Sequence, residues 1–409
     1  MKIWYIHNYT MLPEHGALNR GYYIGKYLKK IGHEPIVFVG SHPHNTNLQL
    51  INGKEKYKVY QEEPFPWVLI KIRNYEGSKK SRVISMIEFY QNMKYAAKYF
   101  EKPDAIIGSS AHPLAALLAI KLAKKYGCKG IMEVRDFWPE SIVTYGVLSR
   151  KNIVIKLLYK FEKYLYKHAD ELIFTMENAW QYFEEQRLDQ TISREKVHYV
   201  NNGIDMEEYK RNLENSPYYD EDLASSETFK VVYTGSIRKV NNVGLLLDAA
   251  KLVKNSKVRV LIWGGGDEVE MLKQRCINEA ITNVVLKGVV EKKYIASITS
   301  QADLNIMHGS QSPVLKYGLS ANKLFDYAAA GKPILTDFIT GMNPADIFGA
   351  GITAEDSTPQ KIAATIDNIS EMPIDIYNGY CEKALEMAKT YNYENLARKI
   401  ICIIEGKDK

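Results

Sequence analysis

The sequence predicts an α/β protein with two doubly wound parallel sheets, one following the other along the chain. The chain has 409 residues, which is long for one hydrophobic core and enough for two. Short apolar runs alternate with amphipathic stretches, a pattern typical of parallel strands joined by helices. This alternation pauses after Asn202-Gly203 and starts again after a polar, acidic segment over 212–228. Such sheets bind ligands at the carboxyl ends of their strands, so we expect two domains facing each other across a cleft.

The first half accounts for the N-terminal domain, which we place at residues 1–205. Between its first two strands, Asn19–Lys30 has helical periodicity and stops at Gly32. Six short apolar runs predict its strands: Lys2–Ile6, Pro35–Val39, Ala105–Ile107, Ile131–Val134, Leu172–Thr175 and His198–Val200.

The second half accounts for a C-terminal domain, placed at residues 206–385. It begins with a polar, acidic segment over 212–228 that predicts a linker or a surface excursion. Residues 386–409 contain a final helical pattern, Tyr391–Glu405, and packing back on the N-terminal domain is one option for it. The predicted strands of this half are Lys230–Tyr233, Val258–Trp263, Val284–Leu286, Leu304–Met307, Pro333–Thr336 and Gly351–Thr353.

Composition restricts the classes of function. The formal charge of +6, from 54 basic and 48 acidic residues, fits anionic small molecules or an anionic membrane surface and is too small to indicate nucleic acid. The four cysteines are scattered, without zinc or disulfide spacing. A strand begins at residue 2 with no secretory signal, and no apolar run reaches the ~18 residues that cross a bilayer. We therefore expect a cytoplasmic protein.

The most informative segment runs from Tyr317 to Pro333, where a small polar stretch leads into a helix that ends at Gly331. Backbone N–H groups at such a helix start face an anion, and the helix dipole helps. Lys323 in the first turn opposes the dipole, which an anionic ligand explains. Asp326, one turn later, can accept two hydroxyl hydrogen bonds, as a ribose offers. An ordinary helix with solvated charges is the alternative.

Two further loops of this half follow strands. Arg238 and Lys239 lie in one of them, over the expected cleft or in an ordinary basic turn. Gly264-Gly265-Gly266-Asp267-Glu268 opens a helix, and glycine lets the backbone approach a ligand. The six-residue glycine spacing of a dinucleotide fingerprint is missing, and the two acidic residues can simply cap the helix. Asp220 and Asp222 form an Asp-x-Asp pair in the acidic segment, which we interpret as solvated surface.

Three segments of the N-terminal half fall at predicted strand ends. His15-Gly16-Ala17 lies between the first strand and the first helix, where a small loop can admit a diphosphate. His112 follows the Ala105–Ile107 strand. The segment from Glu133 to Glu140 brings charges and an aromatic ring to the cleft mouth, unless it is a salt-bridged loop.

Together these segments resemble the family 4 retaining glycosyltransferases, which have the GT-B fold. The resemblance covers nearly the whole chain and includes Val200-Asn201-Asn202-Gly203-Ile204-Asp205. The family motif carries two glutamates separated by seven residues, and this chain has Gly318 and Asp326 there. The form Asn-Lys-Leu-Phe-Asp-Tyr resembles the branch that builds bacterial surface polysaccharides such as O-antigen and capsule, often from N-acetylated or deoxy-amino sugars.

The resemblance implies roles for individual residues. Those expected near the reaction centre or the diphosphate are His112, Arg238, Lys239 and Lys323. Those expected to bind the donor are Gly16, Ala17, Gly235, Gly265, Val289, Ser320, Ala321, Asn322, Leu324 and Asp326. Those expected on the acceptor side are Arg135, Asp136, Trp138 and Glu140.

The function implied is retaining transfer of a sugar from a nucleotide sugar, with UDP favoured over GDP, to a saccharide or lipid-linked acceptor. We expect no metal and no other cofactor. Two alternatives remain open: a sugar-nucleotide epimerase of the same architecture, and an inactive nucleotide-sugar-binding subunit of a polysaccharide assembly complex, which Gly318 supports.

A basic stripe raises the question of membrane contact. Lys156, Lys160, Lys163 and Lys167 recur at helical spacing. We expect the apolar residues of this helix, including Val154 and Leu157, to pack on the sheet with the lysines outward. The stripe is either a solvated face or a peripheral contact with anionic lipid at the inner face of the cell membrane.

Overall fold

A computed structural model describes residues 1–16, 18–60 and 63–407. The chain forms two compact units. The first unit comprises Met1–Asn201 together with Tyr393–Lys409, and the second comprises Asn202–Asn392. Each unit contains one sheet with helices on both faces.

The first unit has an eight-stranded sheet in the order β3-β4-β2-β1-β5-β6-β7-β8. All neighbouring strands are parallel except the β3–β4 pair. The strands are β1 Lys2–Ile6, β2 Glu34–Gly40, β3 Tyr57–Tyr60, β4 Trp67–Ile70, β5 Ala105–Ser109, β6 Lys129–Val134, β7 Glu171–Phe174 and β8 Val197–Tyr199.

Helices connect these strands and cover the sheet. They are α1 Arg20–Lys30, α2 Lys79–Ala96, α3 Pro113–Tyr126, α4 Glu140–Thr144, α5 Ile153–His168 and α6 Ala179–Glu185. Helix α3 shows how the sequence sets the bounds: Pro113 occupies its first turn, and Gly127 ends it in the left-handed conformation. Trp4 is fully buried at the centre of the core, edge-on to Phe38.

The last helix of the chain, Tyr393–Glu405, also belongs to the first unit. It packs beside α1, where the ring of Tyr393 stacks on that of Tyr23 with centroids 5.0 Å apart. Lys30 and Glu394 form an ion pair at 3.1 Å on the same contact. The first unit is therefore built from two distant parts of the sequence.

The second unit has a six-stranded parallel sheet in the order β11-β10-β9-β12-β13-β14. Its strands are β9 Phe229–Thr234, β10 Val258–Trp263, β11 Val284–Gly288, β12 Leu304–Met307, β13 Ile334–Thr336 and β14 Gly351–Thr353. Its helices are α7 Met206–Asn215, α8 Glu221–Ala224, α9 Val243–Ala250, α10 Val269–Asn278, α11 Ile295–Ser300, α12 Asn322–Ala329, α13 Pro344–Phe348, α14 Pro359–Ser370 and α15 Ile374–Thr390. The final helix of the chain is thus α16.

Both sheets reverse their strand order at one place. In the first unit the reversal lies between β1 and β5, and in the second between β9 and β12. A crevice opens at the carboxyl ends of the strands at such a point, and open α/β sheets bind their ligands there. The loops after these four strands are consequently the places to look for function.

The structure corrects three expectations. Two strands were missed, β3 and β4. The acidic segment over 212–228 is partly helical, because α7 runs to Asn215 and α8 follows. Asp220 and Asp222 are not simply solvated, since both carboxylates contact the ammonium group of Lys287.

The apolar side of α5 was also placed wrongly in part. Val154 and Leu157 are 49% and 56% exposed and do not pack on the sheet. Leu165 is buried as expected. Within residues 1–16, 18–60 and 63–407, no helix is long and apolar enough to cross a membrane.

Candidate functional site

In the second unit, several predicted donor-site residues meet where the strand order reverses. Gly235 follows β9 and His308 follows β12. Lys323 reaches this place from the first turn of α12. Its ammonium group donates to the His308 carbonyl at 3.3 Å and lies 4.4 Å from the centroid of the Tyr233 ring. A Cβ added at Gly235 would lie 3.3 Å from the same nitrogen.

The Lys323 ammonium lacks a countercharge at contact distance. No carboxylate of a described residue forms an ion pair with it, and its neighbours are a carbonyl oxygen and an aromatic face. Burial lowers the pKa of Lys323 to about 8, although the Asp337 carboxylate acts in the opposite direction. A cation held in this way is set to receive an anion.

Helix α12 is anchored at its start and in its middle. The Tyr327 hydroxyl lies 2.9 Å from the backbone N–H of Thr234, at the end of β9. The Asn202 amide donates to the Ser320 carbonyl at 2.7 Å and holds the loop before the helix. Ala321, at the N-cap, provides no side-chain cap, and Leu324 is buried in the core. The helix start is fixed while its first N–H groups keep no side-chain acceptor from the N-cap residue.

Ser320 and Asn322 border this helix start. The Ser320 hydroxyl is buried and has no hydrogen-bond partner among the residues the structure describes. A buried hydroxyl without a partner is unfavourable unless a ligand completes it. Asn322 is the first residue of α12.

Asp326 lies one turn after Lys323 and is partly buried. Burial raises the pKa of its carboxyl to about 6, while Lys292 lowers it and Glu208 raises it. The carboxylate is ionised at neutral pH, in a place that favours partners able to donate hydrogen bonds to it.

The glycine loops after β9 and β10 pack against each other. A Cβ at Gly264 would lie 1.7 Å from the Gly235 carbonyl oxygen, and one at Gly266 would lie 1.9 Å from that of Ile237. The Ile237 N–H donates to the Gly265 carbonyl at 2.8 Å. Gly264 and Gly266 thus have a packing reason to be glycine. A Cβ at Gly265 would lie 2.6 Å from a methyl carbon of Val289.

Arg238 and Lys239 lie on the turn after β9, and both are exposed. Lys239 begins a short 3-10 turn that ends at Asn242, which has a left-handed conformation (φ 52°). Neither cation forms an ion pair within the described part of the chain. The turn therefore presents two uncompensated positive charges.

Gly318, at the first glutamate position of the family motif, has φ 124° and ψ 168°. It ends the 3-10 turn Pro313–Tyr317, and its N–H donates to the Leu315 carbonyl at 3.0 Å. This backbone region is accessible almost only to glycine. The backbone conformation at position 318 therefore requires glycine, and this explains why the glutamate of the motif is missing.

In the first unit, His112 lies after β5, at the point where the strand order reverses. It is buried, caps α3, and accepts from the Ala115 N–H at Nδ1 (3.3 Å). Burial lowers the pKa of its imidazole to about 3. The neutral ring therefore carries its hydrogen on Nε2, which is buried and unpartnered within the described residues. His112 is set to donate one hydrogen bond.

Asn8 and His7, which follow β1, were missed by the sequence analysis. Both polar atoms of the Asn8 side chain are buried and unpartnered among the described residues, as is the Ser110 hydroxyl after β5. His7 lies 3.0 Å from Arg135, ring Nε2 to guanidinium Nη1. Burial and Arg135 lower the pKa of His7 to about 3. Their position directly after the first strand was the available signal.

The predicted acceptor-side residues separate into two groups. Arg135, Asp136 and Trp138 retain exposed surface. Glu140 is buried, and its carboxylate binds the Arg150 guanidinium and, at 2.5 Å, the Tyr159 hydroxyl. Those contacts hold the loop between α4 and α5, so the carboxylate of Glu140 is already occupied.

Gly16 lies between β1 and α1 with φ 149°. Its carbonyl accepts from the Asn19 amide at 2.8 Å, which fixes the entry to α1. Ala17, the other predicted donor residue of this loop, lies outside the described residues.

Both units of the chain match known glycosyltransferase families in sequence. Residues 16–208 match the family described as Glycosyltransferase Family 4, and residues 228–371 match the one described as Glycosyl transferases group 1. Probable glycosyltransferase WbjE of Pseudomonas aeruginosa is 23% identical over 339 residues, which cover 80% of this chain and 82% of WbjE.

Solved structures agree in fold along the whole chain. HepE of Anabaena, in complex with UDP, is similar with a TM-score of 0.68 at 12% identity, covering 99% of this chain and 100% of HepE. WaaG, a glycosyltransferase involved in lipopolysaccharide biosynthesis, gives a TM-score of 0.66 at 16% identity, with 99% and 100% covered.

Proposed function

Because the chain belongs to the family 4 glycosyltransferases and has their GT-B fold, we propose that it transfers a sugar from a UDP-sugar, with retention of configuration. The sugar acceptor we propose is a saccharide or a lipid-linked saccharide of bacterial surface polysaccharide synthesis. One observation carries the proposal: the Lys323 ammonium lies at the carboxyl ends of β9 and β12, and no carboxylate of the residues that the structure describes contacts it.

The nucleotide half of the donor fits the second unit. Asp326 offers a carboxylate for two ribose hydroxyls, one helical turn from Lys323. The exposed side chain of Val289 follows β11, beside Gly265, where the nucleobase is expected. HepE, which has the same fold, is known in complex with UDP, and this supports UDP as the nucleotide.

Cationic side chains supply the charge for the departing diphosphate. Breaking the bond between sugar and phosphate builds positive charge on the sugar and negative charge on the leaving group. Lys323, Arg238 and Lys239 are the proposed countercharges, each worth on the order of 100-fold in rate when preorganised. Both carboxylates of the Asp-x-Asp pair already contact the Lys287 ammonium, and this supports a reaction in which the pair holds no metal ion.

The first unit supplies hydrogen-bonding groups for the sugars. His112 Nε2, Asn8 and Ser110 are buried and lack partners among the described residues, at the ends of β1 and β5. The hydroxyl groups of a sugar can form the missing hydrogen bonds, because a hydroxyl both donates and accepts. Arg135, Asp136 and Trp138 are the proposed acceptor contacts.

We also propose peripheral contact with an anionic membrane through the start of α5. Ile153, Val154 and Leu157 are exposed there, beside Lys156 and Lys160. An exposed apolar group next to cations can insert among lipids while the cations bind anionic headgroups. Such a surface would keep the enzyme close to a lipid-linked acceptor. We refer to these five residues as the α5 surface.

A calorimetric titration with UDP, GDP, UMP and uridine tests the donor proposal. We expect UDP to bind, and UMP and uridine to bind much more weakly, because the second phosphate contacts Lys323. Saturating UDP should raise the stability by RT ln(1 + [L]/Kd), about 2.7 kcal/mol at 100 times Kd. Addition of EDTA should change nothing. Absence of binding by every nucleoside diphosphate at millimolar concentration would remove the proposal.

A further inference from the structure

The ring of His308 is buried with a hydrogen-bond acceptor at each nitrogen. Nε2 lies 2.9 Å from the Asn242 carbonyl oxygen, and Nδ1 bonds to the Asp337 carboxylate. His308 is 2% exposed and Asp337 is fully buried. A carbonyl oxygen can only accept, so Nε2 carries a hydrogen. The bond between Nδ1 and the Asp337 carboxyl group needs one further proton, which the two groups share, so the pair carries no net charge.

The His308–Asp337 pair is next to Lys323, one of the cations of the proposed donor site. The His308 carbonyl accepts from the Lys323 ammonium at 3.3 Å. The His308 ring stands edge-on to Tyr233, with centroids 5.9 Å apart, and the same Tyr233 ring faces Lys323. One residue consequently contacts Lys323 through its backbone and Tyr233 through its side chain.

The pair also fixes the turn that carries Arg238 and Lys239. Asn242, which His308 binds, directly follows the 3-10 turn Lys239–Asn241 as its C-cap. Two residues after His308, the Ser310 hydroxyl donates to the Val240 carbonyl at 2.8 Å. The loop after β12 is thereby joined to the turn after β9 at two points.

We propose that His308, locked by Asp337, is a positioning residue that holds the Lys323 ammonium and the 238–242 turn in place for one diphosphate. The proposal rests on the function proposed above, because it assumes that these cations bind the donor phosphates. It adds two residues to that site which touch no substrate themselves.

UDP affinity at pH 7, measured by calorimetry, tests the hydrogen bonds of His308. His308→Ala removes both, and we expect UDP to bind at least tenfold more weakly. His308→Gln keeps a donor for the Asn242 carbonyl and should recover most of the affinity. The matched control is His198→Ala, because His198 is also buried and pairs with a carboxylate, Glu171, at 3.0 Å. That variant should bind UDP like the wild type.

Asp337→Asn tests whether the hydrogen bonds of the pair are sufficient to position the site. The asparagine amide can donate to Nδ1 of a neutral His308, so both hydrogen bonds survive while the carboxylate is lost. The groups facing the pair are Lys323 from α12 and Tyr233 from β9. The substitution therefore replaces one pair without net charge by another, and we expect Asp337→Asn to bind UDP within about threefold of the wild type.

The outcomes separate the two proposals. A folded His308→Ala that binds UDP as tightly as the wild type overturns the positioning role, and so does a His308→Gln variant as weak as the alanine. An Asp337→Asn variant that binds UDP at least tenfold more weakly than the wild type overturns it as well, even if the alanine variant fails to fold. A wild type that binds no nucleoside diphosphate refutes the donor site itself, and the positioning role with it.

Discussion

The guanidinium of Arg20 donates from Nε to Oε1 of Glu133 at 2.8 Å, and both side chains are buried. The Tyr5 hydroxyl donates to the other oxygen of Glu133 at 2.5 Å. The remaining nitrogens of Arg20 donate to the carbonyls of Val200 and Asn201. This ion pair joins α1 and β6 to the last residues before the chain enters the second unit.

Replacing Glu133 by glutamine should destabilise the first unit by about 3 kcal/mol, because the Arg20 charge stays buried without its partner. Urea unfolding followed by circular dichroism measures this. The exposed Glu101, which pairs with Lys2, is the control, and Glu101→Gln should leave stability almost unchanged because solvent screens the pair. Equal effects of the two substitutions would contradict the prediction.

The Glu133 effect should also depend on pH. Arg20, Arg135 and His7 outweigh burial and hold the folded pKa of Glu133 at about 2, below its ordinary value of 4.5. Its stabilising contribution is therefore complete above pH 4.5 and is lost as the pH falls toward 2. The difference between wild type and Glu133→Gln should shrink over that range.

UDP binding should weaken as the pH rises through about 8, because Lys323 loses its proton there. Lys323→Met should bind more weakly by about 1.5–3 kcal/mol at pH 7 and should lack this decline. Lys323→Arg keeps its charge at high pH, so it serves as the control and should also lack the decline. Melting curves of both variants should stay close to that of the wild type.

At acidic pH, protonation of Asp326 should weaken UDP binding. Its carboxyl has a raised pKa of about 6, so UDP binding should weaken as the pH falls through about 6. Asp326→Asn should make this decline shallower and reduce affinity about tenfold. The decline that remains comes from the terminal phosphate of UDP, whose own second pKa is about 6. In addition, 2′-deoxy-UDP should bind more weakly than UDP to the wild type and about equally to Asp326→Asn. If Asp326→Asn still preferred UDP over 2′-deoxy-UDP as strongly as the wild type does, a contact between Asp326 and the ribose would be excluded.

Introducing the missing glutamate at position 318 should destabilise the protein and should not improve donor binding. Gly318→Glu and Gly318→Ala place a side chain on a backbone with φ 124°, and each should lower stability by about 1–3 kcal/mol. The control is Gly379 in α15, which has open space around it. Gly379→Ala should raise stability by about 1 kcal/mol. A Gly318→Glu variant with unchanged stability and tighter donor binding would show that the chain path adapts.

The α5 surface makes a separate prediction. Leu157→Glu should reduce binding to vesicles containing anionic lipid about tenfold, since an inserted leucine is replaced by a charge. Ile277, 73% exposed on α10 of the second unit, gives the matched control, and Ile277→Glu should leave vesicle binding unchanged. Co-sedimentation measures both. Equal binding by wild type and Leu157→Glu would rule out insertion of this surface.

Sequence periodicity was sufficient for most strands, because buried parallel strands are short apolar runs between helical patterns. It predicted β10, β12 and β14 with the bounds that the structure has. It missed β3 and β4. Tyr57–Tyr60 alternates with a lysine and is half-buried, and a proline stands directly before Trp67, so neither segment resembled a buried strand.

The site was predictable where residues lie next to one another in sequence, and less so where contacts come from distant segments. Lys323 and Asp326 could be placed on one helix start. By contrast, His308 and Asp337 become partners only because β12 and β13 are neighbours in the sheet. Arg20 and Glu133 meet across 113 positions. The exposure of Leu157 depends on what α5 packs against, which its periodicity does not contain.

The stacking of Tyr393 on Tyr23 bears on how the polypeptide folds during synthesis. Residues 1–201 emerge from the ribosome before the second unit, yet the helix that covers α1 is translated only after it. The Asn202–Asn392 segment is continuous and can complete its core while the amino-terminal sheet still waits for that helix. The first unit therefore begins synthesis before the second unit but completes its fold after it. A nascent chain stalled before residue 393 would leave α1 uncovered.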